Sequence, residues 1–193
     1  MTKILLIRHG QSTFNAHYEA TGEDPGHFDA RLTELGHRQA KEAGKRLENE
    51  QVDLVITSPL SRAIQTGLNI FGHRTIPFHV TCRHRERLES SGDVGRPPHE
   101  LKQDFPHLDF EHLDDPWWHH EPDMRDRFAV EPYEAFQKRV AHFNEWLKSH
   151  AGQSIAVIGH ATFFHALTGQ WATELRSFAL DTEIISDMSI FYI

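Results

Sequence analysis

Three apolar runs, each stopping on residues that carry chemistry, constrain this chain more than any other feature. Ile4-Leu5-Leu6-Ile7 has no polar break and includes two β-branched residues, the pattern of a strand buried on both faces. It stops at Arg8-His9-Gly10: a cation, a nucleophile or base, and a residue that lets the backbone turn sharply or approach a ligand. Ser12, Thr13 and Asn15 follow, short side chains suited to capping a helix or holding oxyanion atoms. Ile155-Ala156-Val157-Ile158 repeats the design and ends at Gly159-His160. Leu54-Val55-Ile56 leads into Thr57-Ser58-Pro59-Leu60-Ser61-Arg62. There Ser58 is expected as N-cap and Pro59 as the first helical residue, which puts Arg62 near the first turn. As neighbouring parallel strands, the three runs would deliver Arg8, His9, Arg62 and His160 to one sheet edge, where open α/β sheets place their sites. Two guanidiniums and two imidazoles near helix N-termini make an anion site, above all for phosphate. Alone, Arg-His-Gly also fits a strand end with a solvated Arg and His.

Composition narrows the alternatives. A chain of 193 residues is one domain, or one domain with a sizeable insertion. The single cysteine, Cys82, excludes an internal disulfide and fits a reducing compartment. A core strand from Ile4, with no long apolar segment for secretion or membrane spanning, leads us to expect a soluble, cytoplasmic protein. The formal charge of −8 argues against nucleic acid as the main partner. That charge is concentrated: residues 86–131 carry 13 acidic and 5 basic side chains and five of the nine prolines. We read this segment as an irregular acidic insertion over the sheet edge, with the properties of a lid or specificity element.

Helical spacing is expected from a Thr33 cap to about Glu50, with Leu35, Ala40, Ala43 and Leu47 on one face. Leu60, Ala63, Ile64, Gly67, Leu68 and Phe71 form a stripe that packs Arg62's helix on the sheet. Residues 76–81 read as a strand near an edge, because Pro77 opens it. Tyr133, Phe136, Val140, Phe143 and Leu147 share a helix face; Phe163, Phe164, Leu167 and Trp171 define another buried helix, and 184–193 a closing strand. Trp117-Trp118-His119-His120 tempts toward a metal site, but adjacent histidines lack a helical ligand spacing, and aromatic packing is the expectation. The fold expected is a three-layer α/β/α sandwich with a mostly parallel central sheet.

Arg8-His9-Gly10, Ser58-Pro59-Leu60-Ser61-Arg62-Ala63-Ile64-Gln65-Thr66 and Gly159-His160 together resemble the histidine phosphatase superfamily, the phosphoglycerate-mutase-like proteins. The resemblance covers essentially the whole chain in order. It implies His9 as the nucleophile that takes the phosphoryl group, with Arg8, Arg62 and His160 neutralising its oxygens. It also implies a donor at Asn15, assistance from Ser12, and Thr21-Gly22 at the mouth of the phosphate pocket, although these two fit an ordinary turn equally well. A carboxylic acid is expected at Arg85-Glu86, so Glu86 would protonate the leaving alcohol. The Gly and Trp pattern that usually follows that acid is replaced here by Ser90-Ser91-Gly92-Asp93-Val94-Gly95-Arg96-Pro97-Pro98, which leaves Glu89 as a rival and Asp93 next in line. No metal and no cofactor are implied. A phosphatase acting on a small phosphomonoester is the leading expectation, with a phosphoglycerate-type mutase and a non-catalytic phospho-ligand binder as alternatives. The mutases resembling this chain carry a longer segment between the acid and the second histidine. Neither the substrate nor the oligomeric state is legible.

Overall fold

The computed structural model describes residues 3–121, 128–169, 176–178 and 187–191, the last two stretches through their backbone alone. Trp171 and Ile184 lie outside the described residues. Among the described residues six strands, β1 (Lys3–Arg8), β2 (Leu54–Thr57), β3 (Phe78–Val80), β4 (Ser154–Gly159), β5 (Arg176–Phe178) and β6 (Asp187–Phe191), form one sheet in the order β3-β2-β4-β1-β6-β5. Every neighbouring pair is parallel except β5 with β6. As Pro77 foretold, β3 is an edge.

The apolar runs are continuous because both faces of the sheet are covered. Ile4, Leu6, Ile56, Ile155 and Val157 point to one face, against Phe136, Val140, Phe143 and Leu147 of α5 (Tyr133–Lys148) and Phe163 and Phe164 of α6 (Ala161–Thr168). Leu5, Ile7, Val55, Ala156 and Ile158 point to the other, against α2 (Glu34–Arg46) and α3 (Ser61–Phe71). Each such side chain removed from water contributes about 1.5–3 kcal/mol, so this two-sided burial fixes the register as well as the layers. The result is a three-layer α/β/α sandwich.

Two boundaries differ from those expected. The helix after β2 begins at Ser61, with Leu60 as N-cap, rather than at Pro59. The cap comes instead from Asp29, whose carboxylate accepts from Ser61 N at 2.7 Å and Ser61 Oγ at 2.6 Å. Thr33 does cap α2, accepting from Gly36 N at 3.1 Å, but the helix stops at Arg46 and Leu35 is exposed. Likewise Tyr133 opens α5 on its solvent side.

Of residues 86–131, the described part is mostly flank rather than cover. Leu101, Phe105, Leu108, Phe110 and Trp117 pack on Leu60 and Ile64 of α3 and on Val80, with α4 (Pro98–Asp104) among them. Trp117 donates its indole N–H to the Arg96 carbonyl at 2.9 Å and meets Trp118 edge to face, so the aromatic pair is packing. Among the described residues no helix is long and apolar enough to cross a membrane.

Candidate active site

Register aligns the strand ends. Arg8 of β1 pairs with Gly159 of β4, and Thr57 of β2 pairs with Ile158 on the other side of β4. His9 N then donates to Gly159 O at 3.0 Å and Ser58 N to Ile158 O at 3.2 Å, so the three carboxyl ends stay level. The chain leaves β1 toward the α2 face and leaves β4 into α6 on the opposite face. Such a reversal between adjacent strands opens a crevice at their carboxyl ends. A cavity of about 480 Å³ lies there, lined by Arg8, His9, Ser12, Asn15, Arg62, Glu86, Arg87, Glu89, Asp93 and their neighbours.

His9 is buried, and its Nδ1–H donates to the Gly10 carbonyl at 2.7 Å. That bond leaves the Nε2 lone pair free, and Nε2 accepts from Arg62 Nε at 3.1 Å. Burial, then the charges of Arg62 and Arg8, hold its pKa well below the ordinary imidazole value, so His9 is neutral. The ring of His160 lies 5.2 Å from that of His9, fully buried, and neither of its nitrogens has a protein partner. Burial and the same cations keep it neutral as well. Arg8 Nε is likewise buried and unpartnered. Orphaned donors at this density are costly unless an anion or water takes them up.

Arg62, the second residue of α3, is buried and aimed by three contacts: Nε to His9, Nη1 to the Gly92 carbonyl, and Nη2 to Asp93 Oδ1 at 2.9 Å. Opposite, the Glu86 carboxylate closes the amino end of α6, accepting from Thr162 N and Phe163 N at 3.0 Å each. Burial and then the charge of Asp93 raise its pKa to about 7, against the pull of the Thr162 and Arg87 amides and Arg62. Glu89 is exposed at the rim and paired with Arg87.

The remaining residues divide. Ser12 is the N-cap of α1 (Thr13–Thr21); its hydroxyl donates to Asn15 Oδ1 at 2.8 Å and accepts from Asn15 N at 3.1 Å. This capping box occupies the Ser12 hydroxyl and leaves Asn15 Nδ2 as the group at the cavity wall with hydrogens to give. Thr21 and Gly22 do not line the cavity. The helix runs on to Thr21, whose hydroxyl donates to His17 O, and Gly22 caps it at φ 73° with its N–H on Tyr18 O. A left-handed residue there suits glycine and ends the helix. Asp24, two residues on, reaches the cavity instead, fixed by Ser91. Among the described residues no group of three His, Cys, Asp or Glu side chains is arranged to hold a metal ion. Asp29 and Asp93 were not expected as supports of the site; Asp93 alone carried a signal, as a spare acid.

Comparison with known proteins places the chain in a family. A phosphoserine phosphatase 1 of Hydrogenobacter thermophilus is 28% identical over 186 residues, covering 94% of this chain and 83% of its own. A phosphoglycerate mutase of Candida albicans is 47% identical over 92 residues, only 45% of this chain and 36% of that protein. The alpha-ribazole phosphatase of Shigella flexneri superposes with a TM-score of 0.57 at 25% identity, covering 83% of this chain and 75% of that one. The sequence model of the histidine phosphatase superfamily, branch 1, matches residues 4–190, and this chain belongs to that family.

Proposed function

We propose that this protein is a phosphomonoester hydrolase that works through a phosphohistidine at His9 and needs no metal ion. The observation that carries the reading is the His9 ring itself: one nitrogen tied to Gly10, the other an unprotonated lone pair that accepts from Arg62 Nε, in a neutral imidazole. A phosphoryl oxygen would take over the Arg62 N–H that rests on Nε2, freeing the lone pair for in-line attack. The Nε2–P bond forms as the P–O bond to the alcohol breaks, and Glu86, protonated near neutral pH, gives its proton to the departing oxygen. Arg8, Arg62, His160 and Asn15 Nδ2 hold the three equatorial oxygens, and the two guanidinium charges replace what a metal would supply. Water then enters, Glu86 takes one of its protons, hydroxide attacks phosphorus, and the P–N bond breaks to release phosphate.

The phosphoserine phosphatase 1 match covers 94% of this chain, whereas the Candida albicans phosphoglycerate mutase match covers 45% of it. The rim also bears the carboxylates of Asp24 and Glu89 against Arg87, which disfavours bisphosphorylated sugar acids. Rapid quench with a labelled phosphomonoester tests the reading. Label on His9, stable to base and labile to acid, with stoichiometric phosphate release, is expected; His9→Ala should stay folded and show neither. Interconversion of 2- and 3-phosphoglycerate faster than phosphate release would make the protein a mutase instead.

A further inference from the structure

The hydrolytic scheme leaves Asp93 without a part, yet its carboxylate is held from all sides. Oδ2 accepts from Ser90 Oγ at 2.8 Å, Ser90 N at 3.1 Å and Glu89 N at 3.3 Å, which locks the turn Ser91–Asp93. Oδ1 is thereby turned to Arg62 Nη2 at 2.9 Å, in a pair almost shut off from solvent. The guanidinium is planar and rigid, so fixing its far edge fixes Nε. Nε is the atom on the His9 lone pair.

We propose that Asp93 is a positioning residue for phosphoryl transfer, holding Arg62 by Nη2 so that Nε stays registered on His9 Nε2 and on the oxygen that displaces it. This rests on the phosphatase reading. A guanidinium free to swing would contact the substrate without aiming charge at the transferring group, and misplacement of this kind lowers turnover more than binding.

Asp93 acts a second way, through charge. The groups facing Glu86 across the cavity are Arg8, His9, Arg62, Arg87, Glu89, Asp24 and Asp93, with the Thr162, Phe163 and Arg87 amides on the carboxylate itself. Asp93 opposes ionisation of Glu86 and Arg62 favours it. Neutralising Asp93 leaves the Arg62 charge unbalanced, and Glu86 becomes a stronger acid that loses its proton at lower pH.

Asp93→Asn keeps the size and most of the turn's hydrogen bonds while removing the charge. Two readouts need no turnover. Vanadate affinity, measured by calorimetry, should fall roughly tenfold, the scale of one charge-assisted hydrogen bond. Carboxyl-carbon NMR should show Glu86 titrating about one pH unit lower than in the parent. The double variant Arg62→Ala/Asp93→Asn should bind vanadate no more weakly than Arg62→Ala, because the aim that Asp93 gives is exerted through Arg62 and its own charge only repels the anion. Unchanged vanadate affinity with an unmoved Glu86 titration would overturn the proposal, as would additive losses in the double variant. If the parent hydrolyses no phosphomonoester while both readouts still move, the phosphatase reading falls and the positioning by Asp93 stands.

Discussion

Among single residues, the site divides its work between groups kept neutral and groups kept charged. In the proposed mechanism His9 must be neutral to attack, and burial beside two arginines keeps it so. In the same mechanism Glu86 must hold a proton, and burial beside Asp93 raises its pKa to about 7. The proton is lost as pH rises through that value, so turnover of alkyl phosphates should decline above about pH 7. A pH profile of kcat/KM with glycerol 2-phosphate checks it, and a flat profile to about pH 9 would remove Glu86 from the role. Glu86→Gln should cut alkyl phosphate turnover about 100- to 10,000-fold and p-nitrophenyl phosphate turnover far less, because nitrophenolate leaves without a proton. Glu89→Gln should resemble the parent in both assays, since its side chain is turned to Arg87 at the solvent rim. Chelation by EDTA should leave activity intact; restoration of a chelated loss by Mg²⁺ would reverse that expectation.

Between elements, the catalytic loop is set by a backbone contact. Gly10 and Gln11 pass so close to the start of α2 that a Cβ on Gly36 would stand 2.1 Å from the Gln11 carbonyl oxygen. One on Gly10 would stand 2.6 Å from the Gly36 oxygen. Thr33 N and the Gln39 side chain also bond the Gln11 backbone, so α2 grips the loop just after His9. Neither backbone has room to yield. Gly36→Ala should lower stability by about 1–3 kcal/mol, the cost of overpacking, and should reduce kcat by displacing His9. Urea midpoints and kcat measured together check this; a loss of stability with kcat unchanged would mean that the loop moves without carrying His9.

For the whole molecule, the buried histidines set the acid limit. His9, His160 and His84 are all neutral in the fold; His84, stacked on Phe143 and bonded through Nε2 to Ile158 O, is pushed down to about 3 by burial. Below about pH 6.5 the unfolded chain binds protons at these imidazoles that the folded one refuses, so stability falls as pH falls. Each refused proton contributes a slope of about 1.4 kcal/mol per pH unit. Glu86 works in the opposite direction between the ordinary carboxylate value and about 7, where the fold holds a proton that the unfolded chain has lost. Three imidazoles outweigh one carboxyl. The urea midpoint should therefore drop between about pH 6.5 and pH 5, and a midpoint that rises over that range would show protonated imidazoles in the fold.

Local pattern alone was enough to specify the sheet except for β5, together with its layers and the strand ends where chemistry gathers. An unbroken run such as Ile4–Ile7 can only be satisfied with cover on both faces, and the residues just beyond it emerge at the strand's end. Thr33 as a cap, Pro77 at an edge, and Arg8, His9, Arg62 and His160 at one end were legible for that reason. The supports that hold those groups in place came from packing across the fold. Asp29, at a left-handed φ of 43°, caps α3 from far along the chain and displaced the local Ser58 cap that the sequence offered. Nothing in the spacing of Thr21 and Gly22 told that α1 would carry them past the cavity and bring Asp24 to it. Glu86 is distinguished from Glu89 by the amides of α6 and by burial, both products of packing. Asp93 reaches Arg62 only because the turn after Ser90 folds back over α3. Contacts between residues distant in sequence leave no periodicity to read, and they set the protonation and aim on which the chemistry depends.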